Sequence, residues 1–414
     1  MDRLIYFDAM IRLADKVFFL RGARNGAIYD LVRGRVFAVN ESACDIVSKA
    51  ARGDELSSSD IAYIRQLASA KLVDDRSQIT EMEEGCLSIP KEHYSFDLVW
   101  LEVTQCCNLK CIHCYEGCRH VSSPRKLSKR QWFEIIDQIA ELGSENVVVI
   151  GGEPSCSRIT PEIIEYLAQK KLRTTVITNG VAIGRRLRRA IVSNKVKVRI
   201  SIYGHCAEVH DRVTGVSGSF QKTMDSVAYF LSHNVRVDAN VVLMRENEQH
   251  LHEIEEHLKS IGVTGYKFDV IRSVFAGTQS AHSPETEEVL RLGRLSRPRF
   301  KISEKQFLNA MHRHPCWNRK VSVGEDGKVM PCVFARNIIV GDLRKQRLCD
   351  ICNSKELMSC WGLKMDDVSV CSDCEFRYAC RDCRPLAISV RNCRTDKMPK
   401  CDYNPVSGVW GNGD

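Results

Sequence analysis

The 414-residue sequence contains no stretch of about 18 uninterrupted apolar residues, the length that a helix needs to cross a membrane. Its N-terminus, MDRLIYFDAM, also lacks the basic, apolar and small-residue regions of a secretory signal peptide. These two absences argue against a membrane protein and against secretion. We therefore expect a cytoplasmic location.

A strong charge bias is absent as well. Lys and Arg number 60 and Asp and Glu number 52, and the resulting net charge of +8 is too diffuse to indicate a nucleic-acid partner. One segment, GRRLRRAIVSNKVKVR at 184–199, is locally basic, which is typical of a solvated helix face. The length and composition predict a globular protein of two or three domains.

Cysteine, by contrast, is abundant: the chain has 20, of which eleven lie between Cys316 and Cys401. A reducing cytosol disfavours disulfides, so metal or redox chemistry explains these cysteines better. A second dense group lies in QCCNLKCIHCYEGC at 105–118. The sequence therefore predicts two metal-binding regions, one on each side of a long middle segment.

The first 95 residues are predicted to form a small winged-helix-like domain and a linker. KVFFLRG and GAIYDLVRGRVFAVN have the pattern of antiparallel strands joined by an Arg-Gly turn. ESACDIVSKAARG and SSSDIAYIRQLASAKLVDD follow with helical periodicity and N-cap residues. SQITEMEEGCLSIPKEHYS would be the linker.

From 96 to about 300 the pattern changes to apolar strands that alternate with amphipathic helices, which predicts a partial α/β barrel of six parallel βα units. The predicted strands are DLVWLEVT, NVVVIGG, RTTVITN, KVRISIYG, RVDANVVLM and GYKFDVI. In such barrels, functional loops gather at the C-terminal ends of the strands. The cysteine loop directly follows the first of these strands.

Cys107, Cys111 and Cys114 are spaced C-x3-C-x2-C. Three thiolates can bind three irons of a [4Fe–4S] cluster and leave the fourth iron open, whereas structural zinc normally takes four protein ligands. Cys106, His113 and Cys118 would be available to complete a zinc site, so that alternative stays open. In the cluster interpretation, Cys106 and Cys118 only flank the loop.

This spacing resembles the radical S-adenosylmethionine (SAM) family, and VVVIGGEP, ITNG and SIYG at later strand ends strengthen the resemblance. The resemblance implies that Gly151, Gly152, Glu153 and Pro154 bind the amino group of SAM. It further implies that Thr178 and Asn179 lie at the site, that Ser201 and Arg212 contact the SAM carboxylate or ribose, and that Tyr115 and Leu243 contact the adenine. The reduced cluster would cleave SAM to a 5′-deoxyadenosyl radical that abstracts hydrogen from a substrate. An electron donor such as flavodoxin or ferredoxin is therefore expected as a partner.

The second cysteine region resembles the SPASM extension of radical SAM peptide maturases and occupies about 301–414. The matching pattern is a cysteine, then G-x4-C, then C-x2-C-x5-C-x2-C, then a final cysteine, with x2 where the family often has x3. The resemblance implies that Cys371, Cys374, Cys380 and Cys401 hold one auxiliary [4Fe–4S] cluster and that Cys316, Cys332 and Cys383 hold another. Cys349, Cys352 or Cys360 would complete the second site, or it would stay open to substrate. A zinc ribbon is the alternative.

The whole chain resembles SPASM maturases of ribosomally made peptides, including the type found beside grasp ligases. The resemblance implies that the first 95 residues recognise a leader peptide, which would add as a strand to the edge within GAIYDLVRGRVFAVN. The alternatives are a winged helix that only packs on the barrel or binds DNA, a maturase of a folded protein of the sulfatase or quinone-cofactor type, and a non-catalytic metal-binding regulator. Asp269 and Arg272 are candidate catalytic residues, although strand alternation leaves open whether they face the barrel mouth or the outer helices.

Overall fold

The computed structural model describes residues 10–74, 79–81, 96–117, 123–272, 280–293 and 301–411. Cys86, Cys118 and most of the predicted linker lie outside these residues. The chain separates into two units, one of residues 1–92, 294–318 and 362–414, and one of residues 93–293 and 319–361. Both units are therefore built from segments that are distant in sequence.

The strands are, in chain order, β1 (Ile11–Ala14), β2 (Val17–Arg21), β3 (Gly26–Asp30), β4 (Arg35–Val39), β5 (Thr80–Glu81), β6 (Leu98–Glu102), β7 (Asn146–Ile150), β8 (Arg173–Thr178), β9 (Lys197–Ser201), β10 (Val237–Leu243), β11 (Gly265–Val270), β12 (Lys320–Val323), β13 (Lys328–Met330), β14 (Gly341–Asp342), β15 (Tyr403–Asn404) and β16 (Val409–Trp410). The helices are α1 (Glu41–Arg52), α2 (Ser58–Ser69), α3 (Lys129–Glu141), α4 (Thr160–Gln169), α5 (Arg185–Ser193), α6 (Ala207–Thr214), α7 (Ser219–Ser232), α8 (Leu251–Ser260), α9 (Glu287–Gly293), α10 (Glu304–His312), α11 (Leu348–Cys352), α12 (Lys355–Trp361) and α13 (Arg384–Arg391). Among the described residues, no helix combines the length and the apolar character that spanning a membrane requires.

The first unit contains an antiparallel sheet in the order β4-β3-β2-β1-β5, followed by α1 and α2. The predicted order of strands and then helices is found, together with two strands, β1 and β5, that the sequence did not predict. Local capping explains where α1 starts and stops: the Asn40 side chain accepts from the Ala43 N–H, and Gly53 ends the helix in the left-handed conformation. Ser57 and Asp60 form a capping box at the start of α2.

Both faces of this sheet are buried within the first unit. One face packs on α1 and α2 through residues such as Phe19 and Val47. The other face packs on Phe307 of α10 and on aromatic residues of the cysteine-rich C-terminal segment, among them Tyr378. The Tyr29 hydroxyl donates to the Glu375 carbonyl at 2.6 Å. The N-terminal sheet and the C-terminal segment therefore share one hydrophobic core.

The second unit contains a nine-stranded sheet in the order β11-β10-β9-β8-β7-β6-β12-β13-β14. Strands β6 to β11 are the six predicted strands, and each lies parallel to the next in chain order. The predicted fold class is confirmed. Strand β12 adds to β6 in parallel, and β13 and β14 follow antiparallel. This extension was not predicted, because KVSV offers only four residues of strand pattern.

Candidate active site

The loops after β6 and β7 are held together by main-chain hydrogen bonds. The Gly152 N–H donates to the Thr104 carbonyl at 2.7 Å, and the Glu153 N–H donates to the Cys106 carbonyl at 2.9 Å. A Cβ on Gly152 would lie 2.5 Å from that Cys106 oxygen, closer than real Cβ atoms come to other heavy atoms. Glycine at this position thus allows the cysteine loop to lie directly on the end of β7.

Glu153 is a buried carboxylate fixed by three donors. One oxygen accepts from the Thr178 hydroxyl at 2.7 Å and from the Ser155 N–H at 2.9 Å, and the other accepts from the Asn179 N–H at 2.7 Å. Burial raises the pKa of Glu153 above its usual value, while these hydrogen bonds act in the opposite direction. The arrangement holds a carboxylate rigidly at the ends of β7 and β8, where it would suit an ammonium group.

Cys107, Cys111 and Cys114 line one wall of a cavity of about 120 Å³. The Asn179 amide ties the loop to the end of β8, since its nitrogen donates to the Asn108 side chain at 2.8 Å and lies 3.9 Å from the Cys107 sulfur. Burial raises the pKa of Cys107 to about 11 and raises that of Cys111 still further. Because metals bind the thiolate, a metal that binds here must displace these protons. In the part of the chain that the structure describes, no three His, Cys, Asp or Glu side chains are grouped closely enough for a single metal ion.

The same cavity collects most of the residues predicted to bind SAM. Besides the three cysteines, its lining includes Gly151, Gly152, Glu153, Thr178, Asn179, Ser201 and Tyr115. Pro154, Leu243 and Arg212 do not line it: Pro154 starts a short 3₁₀ helix, Leu243 is fully buried at the end of β10, and Arg212 is exposed on α6 beside Glu208. Their roles stay predictions.

His113 and Tyr115 present polar atoms that a bound molecule could satisfy. Both side chains line the cavity, and the His113 Nδ1 and the Tyr115 hydroxyl are buried without a hydrogen-bond partner among the described residues. Such orphaned groups are rare in folded proteins and indicate a missing ligand. Burial lowers the pKa of His113 to about 4, so its ring is neutral at neutral pH. Three cysteines, a fixed carboxylate and two orphaned polar atoms in one cavity fit an iron–sulfur cluster with SAM.

A second cavity of about 290 Å³ shares His113, Tyr115, Ser201 and Tyr203 with the first. Asp269 and Arg272 line it, which resolves the orientation that strand alternation left open. The polar residues Arg199, Asn240 and Lys267 also line it, as do Trp100 and Phe334, and sequence reasoning missed all five. For the four that lie on strands, the available signal was their position on alternate residues, which does not distinguish the inside of a barrel from the outside; Phe334 follows β13 and gave no such signal.

The charges in the second cavity favour an anionic group. Asp269 accepts from Arg272 at 3.1 Å and from Lys267 at 3.3 Å, and the Arg272 guanidinium lies 4.5 Å from the centre of the Phe334 ring. Burial raises the pKa of Asp269, but the attraction of both cations is larger and leaves that pKa below its usual value. Arg199 also lines this cavity, but its guanidinium lies 3.9 Å from Asp238, which offsets its charge. The cavity is therefore suited to a substrate that carries a carboxylate.

A buried charge cluster supports the cysteine loop. One Arg336 nitrogen lies 2.6 Å from Glu102 and 2.7 Å from Glu116, and Ser322 donates to Glu102 at 3.0 Å. Glu102 is the last residue of β6, and Glu116 follows the last cysteine of the loop by two residues. Burial raises the pKa of Glu102, which Arg336 opposes. Arg336 thereby joins both ends of the loop to the segment after β13.

Replacing Arg336 with methionine should destabilise the enzyme by about 3–5 kcal/mol, since two carboxylates would stay buried without a counter-charge. The measurement is urea unfolding of the Arg336→Met variant, with Arg344→Met, an exposed arginine of the same unit, as the control. In the variant the folded-state pKa of Glu102 should rise further above its unfolded value. Stability is then lost as the pH rises through that pKa, so the defect should shrink under mild acid. A defect of equal size at every pH would show that packing, not charge, is responsible.

The C-terminal cysteines of the first unit are also grouped. Cys371, Cys374, Cys380 and Cys401 are near enough that neighbouring thiolates raise the pKa of Cys374 and of Cys380, in addition to the larger effect of burial. Burial raises the pKa of Cys371 to about 12. These are the four residues that the resemblance assigns to one auxiliary cluster, and the structure brings them together.

Cys316 and Cys383 belong to the first unit and are flanked by a buried hydrogen-bond chain, whereas Cys332 belongs to the second unit. The His314 Nδ1 accepts from the Cys316 N–H at 3.1 Å, and its Nε2 donates to Asp382 at 3.2 Å. Asp382 also accepts from Arg384. Burial raises the pKa of Asp382, but its partners His314 and Arg384 together lower that pKa below the usual value. This chain of hydrogen bonds fixes the backbone beside Cys316 and beside Cys383.

Family models match both cysteine regions: the radical SAM superfamily model matches residues 101–258, and the model of the iron–sulfur cluster-binding domain SPASM matches residues 316–384. The chain is a radical SAM enzyme with a SPASM domain. Its cofactors are therefore SAM and [4Fe–4S] clusters, as the resemblance implied. Cys107, Cys111, Cys114 and the residues around Glu153 all lie within the first matched region.

Two curated relatives and one solved structure illustrate the range of this family. The AdoMet-dependent heme synthase of Oleidesulfovibrio alaskensis is 24% identical over 74% of this chain and 87% of its own. The PqqA peptide cyclase of Bradyrhizobium diazoefficiens is 25% identical over 74% of this chain and 86% of its own. The structure of Streptococcus suis SuiB bound to precursor peptide SuiA superposes with a TM-score of 0.63 at 12% identity, over 94% of this chain and 99% of that chain. At this identity, the last similarity shows the fold alone.

Proposed function

We propose that this radical SAM enzyme modifies a ribosomally made precursor peptide by hydrogen abstraction, forming a crosslink such as a thioether, a carbon–carbon or a carbon–oxygen bond, or epimerising a residue. The observation that carries the proposal is the N-terminal sheet with its helices, whose edge strand β4 is largely exposed and can accept a peptide as a further strand. The structural similarity to a peptide-bound enzyme extends over 94% of the chain. A peptide substrate gives this sheet a role as a recognition module.

The edge strand β4 is the proposed docking site for the leader peptide. The Ile302 N–H donates to the Gly34 carbonyl at 3.1 Å, and Lys301 forms an antiparallel β-bridge with Arg35. The start of the β4 edge is therefore already paired within the chain. Alternate residues of a strand direct their peptide groups to the same edge, so the peptide groups of Val36 and Ala38 also point outward. Ala38 is exposed. A leader strand would pair with this second half of β4.

In this proposal the first cavity would hold the cluster and SAM, and the second cavity would hold the substrate. Cys107, Cys111 and Cys114 would hold the cluster and Glu153 would hold the ammonium group of SAM; when bound, this pair supplies one-electron, hydrogen-abstracting chemistry. The orphaned atoms of His113 and Tyr115 would orient the bound molecule.

The second cavity would hold the substrate. Arg272 and Lys267 would position a substrate carboxylate, and Asp269 would keep both cations in place rather than act as a base, since its pKa is low. The carbon that reacts would thus be presented from the second cavity to the first.

The auxiliary sites are proposed as the resemblance implies. Cys371, Cys374, Cys380 and Cys401 would bind one cluster, and Cys316, Cys332 and Cys383 would bind a second. The fourth ligand of the second cluster would be Cys349, Cys352 or Cys360, of which Cys352 and Cys360 are buried, or else the substrate itself. An electron donor of the flavodoxin or ferredoxin type and a cytoplasmic location belong to the same proposal.

The function is tested with short peptides encoded beside the gene, incubated anaerobically with reconstituted enzyme, SAM and a reductant. We expect a mass change confined to one peptide and dependent on SAM. Haem formation from a porphyrin precursor, without modification of any peptide, would favour the heme-synthase type instead. Modification of a folded sulfatase or quinone enzyme would point to the maturase alternative.

A further inference from the structure

A large cavity of the second unit lies at the end of the barrel opposite the cysteine loop. It has a volume of about 850 Å³ and is lined by the first residues of several strands and by the turns that precede them. Its lining contains a single carboxylate, Asp97, and seven cations: Lys171, Arg173, Lys195, Lys197, Arg199, Arg236 and Lys320. Neither the radical chemistry nor leader binding uses this basic cavity.

One buried carboxylate organises the inner cations. Asp238 is 13% exposed and contacts Lys197, Arg236 at 3.4 Å and Arg199 at 3.9 Å. Three cations on one carboxylate leave an excess of positive charge at the inner wall. Positive charge inside a cavity is only partly screened by water. An anion that binds there would neutralise it.

Of the outer cations, Arg173 contacts Glu145, but three others have no such partner. Lys171, Lys195 and Lys320 contact no carboxylate among the described residues. Lys171 and Lys195 follow α4 and α5 with φ of 58° and 50°, whereas the equivalent turns after α3 and α8 have Gly143 and Gly262. Glycine adopts this left-handed conformation at lower cost than lysine. Lys71 has the same conformation after α2, so the conformation alone assigns no role; what distinguishes Lys171 and Lys195 is that both line the basic cavity.

We propose that the basic cavity binds a small polyanion with two or more phosphate groups. Its volume lies within the range of about 300–1,000 Å³ that is usual for small-molecule sites. The inner cations Lys197 and Arg199 are only 27% and 37% exposed, so a flat acidic protein surface would not reach them, whereas phosphate oxygens would. Arg199 lines both this cavity and the second cavity of the active site. A bound polyanion would thus contact a residue of the substrate site.

The test is calorimetric titration of the reconstituted full-length enzyme with pyrophosphate and with tripolyphosphate at low ionic strength, with iron content measured before and after. The Lys171→Gln/Lys195→Gln variant should bind at least about tenfold more weakly. The control, Lys222→Gln/Lys355→Gln, loses the same net charge from exposed positions of the same unit outside the cavity and should stay within about twofold of the parent. Lys171→Gly/Lys195→Gly should lose binding without loss of thermal stability, because glycine relaxes the backbone at both turns.

Four results would overturn the proposal. The first is the absence of binding of either phosphate compound by the parent enzyme. The second is equal weakening in the cavity and control variants, which would mean a diffuse charge effect. The third is binding of poly-glutamate but not of the phosphate compounds, which would mean that an acidic protein is the partner. If Lys→Gly substitution lowers thermal stability while binding is unchanged, the lysines serve only the helix ends.

Discussion

Alanine at Cys107, Cys111 and Cys114 together should remove the iron of one [4Fe–4S] cluster and reduce reductive SAM cleavage to background. The three thiols line the same cavity as Glu153, and no other cysteine of the described segments lines it. Since each thiolate would bind one iron, no partial site remains. Iron and sulfide analysis after anaerobic reconstitution, together with detection of 5′-deoxyadenosine, measures both losses.

The matched control is Cys156→Ala, which removes an exposed cysteine that lies just after Glu153 and lines neither cavity. It should retain all iron and all cleavage activity. The triple variant should keep the iron of the C-terminal sites, because Cys371, Cys374, Cys380 and Cys401 are grouped in a different unit. Zinc instead of iron in anaerobically purified enzyme would contradict the assignment of both regions.

The barrel was predictable because its signals are local. Runs such as NVVVI and RTTVIT are strand-forming and bounded by glycine or asparagine, and each is followed by an amphipathic helix. The cysteine spacing and the Gly-Gly-Glu sequence then located the first cavity, since parallel strands end at one edge. His113 also lay within that signal, between two ligand cysteines, where its orphaned nitrogen now faces the cavity.

The contacts that join distant segments were not predictable. Arg336 is separated from Glu102 and Glu116 by more than 200 residues, and nothing in the sequence near any of them indicates the pairing. The core that β2, β3, α10 and the C-terminal segment share was not predicted either, although one sequence signal indicated it. All five residues of β3 are buried, while a small antiparallel sheet normally exposes one face. The sequence signal is the run VFFL in β2, because four consecutive apolar residues in such a sheet indicate a second layer, whose identity only the structure supplies.

That shared core decides how leader recognition should be tested. Deleting the first 95 residues would expose the aromatic residues that pack on the sheet, including Phe307 and Tyr378, and would disturb the C-terminal cysteines. A loss of activity after deletion would then not distinguish a recognition role from a folding role. A substitution confined to the outward edge of β4 avoids this difficulty.

Proline at Ala38 should lower kcat/KM for a precursor that carries its leader by at least about tenfold, while SAM cleavage without peptide stays unchanged. The Ala38 peptide group points away from β3, so proline removes one donor from the open edge and leaves the internal ladder intact. Ala38→Val is the matched control, because it keeps the N–H and the strand geometry and should behave as the parent enzyme. Binding of the isolated leader, measured by fluorescence anisotropy, should weaken in the proline variant alone. If the proline variant binds the leader and modifies the full precursor as the parent does, the leader does not add to β4, and the sheet serves only to complete the core of its unit.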